Sequence, residues 1–209
     1  MTARDRLVHS TIDLMRRHGV AGTGVAEILD HGRVSRRSIY LNFPDGKAGL
    51  VDEATRVAGA YIDNRIALCS DAPTPVGALE AFIGDWKAVV SGSGFTAGCP
   101  VTAAAMSRSN IPSASDLAGD AFRQWTVTIS ASLRGHGIAD PAATALANTV
   151  VAAVSGAIVI SVAQRSLDAL NDVETQMSML IDHQIALGSL PRTDNAEQEG
   201  RTVSPQTGE

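Results

Sequence analysis

The feature that most limits what this chain can fold into is a run without any charged residue, from Pro141 to Ala163. About 20 apolar residues are enough to cross a bilayer as a helix. This run, however, consists mostly of Ala, Val, Thr and Ser and contains Asn148, so its transfer into a membrane is unfavourable. We therefore predict a helix buried between other helices of a globular protein that has no membrane partner.

An all-α fold is the interpretation that the composition of the 209-residue chain favours. Ala-rich amphipathic stretches are common, strand-forming patterns are sparse, and only 4% of the residues are aromatic. The 44% of hydrophobic and 19% of charged residues are typical of a soluble globular protein. A net charge of -5 excludes binding to nucleic acid through overall charge, but residues 1–53 have a balance of +1, from eight basic and seven acidic side chains.

A helix-turn-helix pattern lies in residues 1–50, which we predict to form an N-terminal three-helix domain. Its first helix extends from Thr2, a capping residue, to Gly19, which suits a left-handed C-terminal cap. Short helices at 25–30 and 36–42 follow, separated by a turn that contains glycine. Two short helices around such a turn are typical of DNA-binding domains in which the second helix enters the major groove.

The rest of the chain is predicted to be a helical effector-binding and dimerisation domain over 51–187, followed by a disordered tail over 188–209. The tail is polar and contains Pro and Gly, a composition that disfavours a packed core. The predicted helices after the first domain are 47–69, 77–91, a short helix from Cys99, 116–134 with Ser113 or Ser115 as its cap, 141–165 and 168–187.

The stretch GTGVAEILDHGRVSRRSIYLNFPDGKAGL resembles the DNA-binding domain of TetR-family transcriptional regulators. The family pattern, S-x-x-[ST]-[IL]-Y-x-x-F followed by P-x-x-K, is matched by Ser35, Ser38, Ile39, Tyr40, Phe43, Pro44 and Lys47. Gly46 within FPDGK, GCPV at 98–101 and SGAIVIS at 155–161 are similar to the LmrA/YxaF-like branch. That branch implies a helical ligand-binding domain over about 56–187.

Eight residues are candidate DNA contacts, with the adjacent Arg36 and Arg37 foremost among them. The planar fork of arginine matches the two acceptors of guanine or a phosphate, and we predict that Arg37 contacts a base. The resemblance implies that the Tyr40 phenol and the Lys47 ammonium bind phosphates. Ser35 is predicted to cap the helix at 36–42 in either case, and Thr23 is a candidate for a cap or a phosphate contact. The alternatives are solvated surface charges for the basic residues and a core position for Tyr40. The full set is Thr23, Ser35, Arg36, Arg37, Ser38, Tyr40, Asn42 and Lys47.

Bulky side chains in the second domain are candidates for an effector site between the helices that span 76–134. The domain is poor in aromatic residues, and those it has fall in pairs at helical spacing, which fits either a mainly apolar ligand pocket or an ordinary core. The branch resemblance implies planar aromatic effectors such as flavonoids. The candidates are Phe82, Trp86, Cys99, Met106, Phe122 and Trp125.

A stripe of small and apolar residues within the uncharged run is the candidate dimer interface. Thr149, Ala153, Gly156 and Ile160 follow one another at a 4-3-4 spacing, which places them on one helix face. Small residues let helices approach closely, and a two-fold axis brings such a patch against its own copy. The last two helices are therefore predicted to form a four-helix interface with a second chain.

The function that these patterns predict is that of a homodimeric DNA-binding regulator, a repressor that a small apolar or aromatic effector releases from a palindromic operator. Two alternatives remain open: a thiol-responsive regulator that uses Cys99, and a small-molecule-binding helical protein or enzyme with a vestigial helix-turn-helix. No catalytic, cofactor-binding or metal-binding motif supports the enzyme. Two distant cysteines and the absence of a signal sequence indicate a reduced, cytoplasmic setting.

Overall fold

The structure, a computed structural model, describes residues 1–188. Within that range the chain forms nine α-helices and no β-strand, which confirms the all-α prediction. The helices are α1 (Ala3–Gly22), α2 (Val25–Gly32), α3 (Arg36–Asn42), α4 (Lys47–Cys69), α5 (Pro75–Gly92), α6 (Pro100–Ala105), α7 (Pro112–Gly135), α8 (Ala142–Gln164) and α9 (Asp168–Gly188). The predicted disordered tail lies, apart from Gly188, outside the described residues.

The two ends of α1 show how local sequence sets its limits. At its start the Thr2 hydroxyl accepts from the Asp5 N–H at 3.1 Å, and the Asp5 carboxylate accepts from the Thr2 N–H at 2.8 Å, which completes a capping box. At Gly19 the backbone takes a φ of 69°, as a left-handed glycine allows. The helix continues beyond this break to Gly22, so the predicted end at Gly19 is an interruption inside α1.

Proline occupies the first position of the helices α5 and α7. Both start at a proline, Pro75 and Pro112, earlier than predicted, because the fixed φ of proline suits the first helical position. The predicted caps of α7 are therefore wrong. The Ser113 hydroxyl donates instead to Asp52 at 2.9 Å, and the Ser115 hydroxyl donates to the Ala105 carbonyl at 2.9 Å.

Two hydrophobic cores lie along the chain, and α4 takes part in both. The smaller core joins α1, α2 and α3 and contains Leu7, Val8, Leu14, Ile28, Ile39, Phe43 and Leu50. The larger core holds most of the remaining helices, and its first contribution from α4 is Val51. Neighbouring residues of one unbroken helix thus face different cores, and α4 passes from one to the other without a linker.

Polar contacts also join α1 to the loop that precedes α6. The Arg16 guanidinium donates through Nε to the Gly98 carbonyl at 3.1 Å, and the Gly98 N–H donates to the Arg16 carbonyl at 3.0 Å. Arg17 adds a hydrogen bond from Nη1 to the Thr96 hydroxyl at 2.8 Å. The loop before α6 is therefore held directly against α1.

The uncharged run forms α8, which is buried on one side and uncovered on the other. Among the described helices it is the one long and apolar enough to cross a membrane, and 39% of its most apolar window is buried inside the protein. Its buried side consists of Ala143, Leu146, Ala147, Val150, Val154, Ala157, Ile158 and Ser161. The expected burial between helices of the same chain is therefore found on one face only.

Candidate nucleic-acid interface and ligand cavity

The turn between α2 and α3 is determined by backbone hydrogen bonds and one close approach. Arg33 takes a left-handed φ of 49°, and the N–H groups of Arg33 and Val34 donate to the carbonyls of Asp30 and Leu29. This is the Schellman arrangement for ending a helix. Gly32 packs so closely on α1 that an added Cβ would lie 2.9 Å from the Ser10 hydroxyl, so the turn requires glycine there.

Helix α3 has an anchored side and an exposed side. Ile39 and Phe43 are buried in the smaller core, which holds the helix against α1 and α2. On the other side Arg36, Arg37 and Tyr40 are exposed to solvent. The predicted limits of α3, residues 36–42, are confirmed. A short helix held in this way presents its polar residues to an external partner.

Arg36 and Arg37 differ from several other arginines of the same region because their charges are unpaired. Neither has a hydrogen-bond or ion-pair partner within the part of the chain that the structure describes. By contrast, Arg4 donates to Glu53 at 2.6 Å and lies 5.3 Å from the centre of the Phe43 ring. The hydrogen bond from Arg4 also lowers the pKa of the Glu53 carboxyl.

Ser35, Ser38 and Asn42 form a small polar chain along α3. The Ser35 and Ser38 hydroxyls lie 3.1 Å apart, and the Asn42 amide donates to the Ser38 carbonyl at 2.7 Å. Ser35 occupies the cap position of α3, but its side chain accepts no backbone hydrogen bond there. Ser35 is thus the cap residue that the sequence predicted, although its hydroxyl contacts Ser38 and no backbone N–H.

Lys47 is half-buried, whereas Thr23 is fully buried. The Lys47 ammonium, at the start of α4, donates to the Val20 carbonyl at 3.1 Å and keeps two further N–H donors. The side chain of Thr23 is buried, and its hydroxyl donates to the Gly19 carbonyl at 2.7 Å. Thr23 thus stabilises the end of α1 and has no exposed side chain to offer to DNA.

One exposed cation beside this surface is missing from the sequence-based set. Arg33 is exposed in the turn before α3 and has no hydrogen-bond or ion-pair partner for its side chain among residues 1–188. Its left-handed backbone is unusual for a residue other than glycine, asparagine or aspartate. No motif signals such a conformation, and Arg33 was therefore not among the predicted DNA contacts.

Four of the six predicted effector residues meet around one small cavity inside the larger core. Phe82, Trp86, Cys99 and Trp125 line it, and its volume of about 20 Å³ has room for a single water molecule. Phe82 and Trp86 are in edge-to-face contact, with ring centres 6.5 Å apart. The Trp125 indole N–H donates to the Gly59 carbonyl at 3.1 Å. These side chains are tightly packed in this conformation.

The other two predicted effector residues do not line this cavity. Phe122 packs edge-to-face on Trp125, with ring centres 5.2 Å apart. Met106 is 82% exposed just after α6. The structure therefore separates Met106 from the aromatic residues that sequence reasoning grouped with it.

A much larger groove, of about 550 Å³, opens beside the small cavity. It lies between α1, α4, α5 and the start of α6, and its volume is within the range of small-molecule sites. Ile62, Phe82 and Trp86 belong to both spaces, so they form the wall between groove and core. The lining residues are His9, Ile12, Arg16, Val57, Ala58, Tyr61, Ile62, Arg65, Phe82, Asp85, Trp86, Ala88, Val89 and Pro100.

The polar members of the groove were not identified from the sequence. Arg16, Tyr61, Arg65 and Asp85 come from three helices, and the predicted ligand site was confined to residues 76–134. Their proximity follows from the packing of α1 against α4 and α6, which no local pattern reveals. An available signal was Tyr61, one of two tyrosines in the chain, on a helix otherwise rich in small residues.

The cysteines lack the environment of reactive thiols. Burial raises the pKa of the Cys99 thiol, and hydrogen bonds with Thr102 oppose this shift only in part. Burial also raises the pKa of the Cys69 thiol. Reactive thiols need a lowered pKa and access to solvent, so this geometry disfavours the thiol-responsive alternative. No group of three possible metal ligands occurs in the described range.

Two family models match the chain. The model for bacterial regulatory proteins of the tetR family matches residues 7–54, which contain α2, α3 and most of α1. The model for the C-terminal domain of LmrA/YxaF-like transcriptional regulators matches residues 75–176, from the start of α5 into α9. Most of α4 lies between the two matched segments.

Similar whole proteins support the same assignment. An HTH-type transcriptional regulator of Mycobacterium tuberculosis is 27% identical over 184 residues, which cover 85% of this chain and 93% of that protein. The HTH-type transcriptional regulator LmrA of Bacillus subtilis is 27% identical over 167 residues, or 78% and 88% of the two chains. The crystal structure of the regulatory protein TetR from Rhodobacter sphaeroides has the same fold, with a TM-score of 0.77, 21% identity and coverage of 85% and 97%.

The matched families and relatives are transcriptional regulators and not enzymes, which rejects the alternative of an enzyme with a vestigial helix-turn-helix. Regulators of this kind bind operator DNA and dimerise. Helix α3, with its exposed arginines and phenol, lies inside the segment that the tetR-family model matches. The chain therefore belongs to the TetR family of DNA-binding transcriptional regulators and has an LmrA/YxaF-like C-terminal domain.

Proposed function

We propose that the protein is a homodimeric, cytoplasmic repressor that leaves a near-palindromic operator when a small molecule binds to it. In this proposal residues 1–50 bind DNA, residues 51–187 dimerise and supply most of the effector site, and α1 supplies the rest. The observation that carries it is the unpaired, exposed pair Arg36 and Arg37 on a helix held by Ile39 and Phe43. Such a helix delivers arginine forks to base edges and phosphates.

The uncovered face of α8 supports the dimer. Gly156 and Ile160 are exposed, as is Thr149, while Ala153 is half-buried, so the predicted stripe lies on the face that this chain leaves open. Val159 on the same helix is also exposed, and no charged residue interrupts the run. Pairing of this face with its own copy across a two-fold axis would cover it. The same axis would present the two copies of α3 to successive half-sites.

Selection of bound DNA from a random pool tests the proposal directly. The purified protein should enrich a near-palindrome whose half-sites are about one helical turn, roughly 34–36 Å, or slightly more apart. A variant with both Arg36→Ala and Arg37→Ala should enrich no sequence at the same protein concentration. Enrichment of an asymmetric site, or no enrichment by the unaltered protein, would reject the proposed homodimeric repressor.

Lys47→Ala is expected to weaken binding to all operator variants alike. We propose that the two donors not used on the Val20 carbonyl bind a phosphate, which carries no sequence information. The slope of log affinity against log salt concentration should become shallower by about one unit for each phosphate interaction that the substitution removes. Titrations at several salt concentrations measure this slope.

Arg123→Ala is the matched control for Lys47→Ala, because it removes one exposed charge from α7, outside the DNA-binding domain. It should leave the salt dependence unchanged. A reduction of affinity for Lys47→Ala that differs between operator sequences would show that Lys47 contributes to base recognition, contrary to the assignment.

We propose that the effector occupies the groove between α1, α4, α5 and α6 and extends toward Phe82 and Trp86. The groove supports this because it has the volume of a ligand site and adjoins the aromatic cluster. An apolar, aromatic molecule suits its walls, in agreement with the flavonoid-type effectors that the LmrA/YxaF-like resemblance implies. Its effect on operator affinity is limited by its differential affinity for the two protein states, typically about 1–3 kcal/mol.

A further inference from the structure

The lining of the groove is mainly apolar, but it includes a cation without a matching anion. Ile12 of α1, Val57 and Ile62 of α4, and Trp86 and Val89 of α5 supply the apolar surface. A ligand that fits between these side chains must therefore have a flat or extended apolar body. The polar groups that also line the groove distinguish it from a purely hydrophobic site.

The charged groups that line the groove differ in whether they have an ion-pair partner. Arg65 donates to the Asp85 carboxylate, with a distance of 3.0 Å from Nε, so this pair is neutral as a whole. Arg16 is half-buried, and within residues 1–188 its side chain makes a single hydrogen bond, from Nε to the Gly98 carbonyl. No carboxylate in that range lies within ion-pair distance of Arg16. Its two terminal nitrogens are therefore available for an anion.

Two further polar groups line the same space and are compatible with an acidic ligand. The Tyr61 side chain is 66% exposed, and its phenol has no hydrogen bond within the described range. His9 uses Nδ1 in a 2.8 Å contact with the Asp5 carbonyl, which leaves Nε2 toward solvent. The one carboxylate in the lining, Asp85, is paired with Arg65. The uncompensated charge of the groove is thus positive.

We propose that this groove binds a small organic acid with an apolar, preferably aromatic body, and that the terminal nitrogens of Arg16 bind its acidic group. This inference rests on the proposed function in that the acid is the effector. Arginine binds carboxylate or sulfonate oxygens through two parallel hydrogen bonds, and such charge-assisted bonds are stronger than neutral ones. The apolar body lies between α4 and α5, in contact with Trp86 and Val89.

Through Arg16, a bound acidic group contacts α1, which is part of the proposed DNA-binding domain. Arg16 belongs to α1, which packs on α2 and α3, and it exchanges two hydrogen bonds with Gly98 of the ligand-binding domain. An acid on the terminal nitrogens shares the Arg16 guanidinium with the Gly98 carbonyl, which is held by Nε. The ligand therefore acts at the junction of the two cores, whereas a ligand enclosed by α5–α7 alone would not touch α1.

A pair of fluorescent probes that differ only in an acidic group tests the ligand class. Anilinonaphthalene sulfonate is the acid, and N-phenylnaphthylamine has the same aromatic rings without the sulfonate. The unaltered protein should bind the sulfonate more tightly than the neutral probe. Arg16→Gln should weaken the sulfonate by about tenfold or more and change the neutral probe by less than about twofold.

Two control variants show whether the probes bind in the groove and whether Arg16 itself causes the change in sulfonate binding. Arg17→Gln removes the neighbouring charge, which lies outside the groove lining, and should leave both probes unchanged. Ala88→Trp places a bulky side chain at a lining position that is not buried and should weaken both probes by about tenfold or more. Unchanged binding of the neutral probe by Arg16→Gln also shows that the groove is intact in that variant.

Two results would overturn the inference. Equal sulfonate binding by Arg16→Gln and the unaltered protein would reject the acid-binding role of Arg16. Unchanged binding of both probes by Ala88→Trp would show that the probes bind outside the groove. Operator binding by the ligand-free protein separates this inference from the proposed function: if the selected DNA is bound but the probe results fail, the ligand class alone is rejected.

Discussion

Gly156→Arg is expected to convert the dimer into monomers and to reduce operator affinity by a factor on the order of 100 or more, because binding through two linked half-sites is abolished. Gly156 is exposed, and an added Cβ would meet no atom of its own chain within 4 Å. An arginine in a helix interior is also intrinsically more favourable than glycine. The monomer should therefore fold normally, and the penalty arises only when the charge is buried against a second chain.

Light scattering or analytical ultracentrifugation measures the assembly, and circular dichroism verifies the helical fold. Gly84→Arg is a matched control, since Gly84 is also a helical glycine whose added Cβ would meet nothing within 4 Å. It lies on α5, away from the proposed interface, and should remain dimeric with full operator affinity. A dimer of unchanged stability in Gly156→Arg would place the interface elsewhere.

Arg37→Ala is expected to cost about 2–6 kcal/mol of operator binding per dimer, because each of the two copies no longer makes a base interaction of about 1–3 kcal/mol. The effect should be greatest for the preferred base pair at one position in each half-site, so that this position becomes tolerant of all four bases. Affinities for a complete set of single-base operator variants measure both effects. Because Arg37 is exposed, its replacement by alanine should not unfold the protein. A reduced operator affinity would therefore reflect a lost DNA contact.

Arg36→Ala is the informative comparison, since Arg36 is the adjacent exposed arginine of α3 and is likewise unpaired within the described part of the chain. If Arg36 binds a phosphate, its removal should weaken all operator variants by the same factor. A uniform reduction for Arg37→Ala, together with a position-specific reduction for Arg36→Ala, would interchange the two roles. Uniform reductions for both would show that sequence is read by other residues or by DNA shape.

The sequence predicted the limits of α3 and α4 because short-range signals determine them. Ser35 and Pro44 delimit α3, and Gly46, with a φ of 62°, provides the turn into α4. The limits of α3 and α4 follow from such residues without reference to the rest of the fold. The partners of the Thr23 and Ser35 hydroxyls were not predicted, because the surrounding helices decide the direction of individual hydroxyls.

The cavities of the larger helical unit were predicted less well because they depend on how closely distant helices approach. Aromatic residues at helical spacing suit a ligand pocket and a packed core equally, and here Trp125 is 4% exposed and hydrogen-bonded to the backbone of α4. The groove includes Arg16 and Tyr61, which are far from the predicted segment in sequence. Only the packing of α1 on α4 and α6 brings these side chains to Phe82 and Trp86.

Because α4 is one unbroken helix, a small tilt about one of its ends produces a large displacement of the other end. Its 23 residues span about 35 Å, with Leu50 embedded in the smaller core near one end and Cys69 at the other. A tilt of only about 5° about the far end displaces the first turn by about 3 Å, close to the rise of one base pair. With a second chain related by a two-fold axis, the separation of the two α3 helices can change by up to twice that distance. In the proposed dimer, a rearrangement of this small angle at the groove would therefore be large enough to move the two α3 helices out of register with their DNA half-sites.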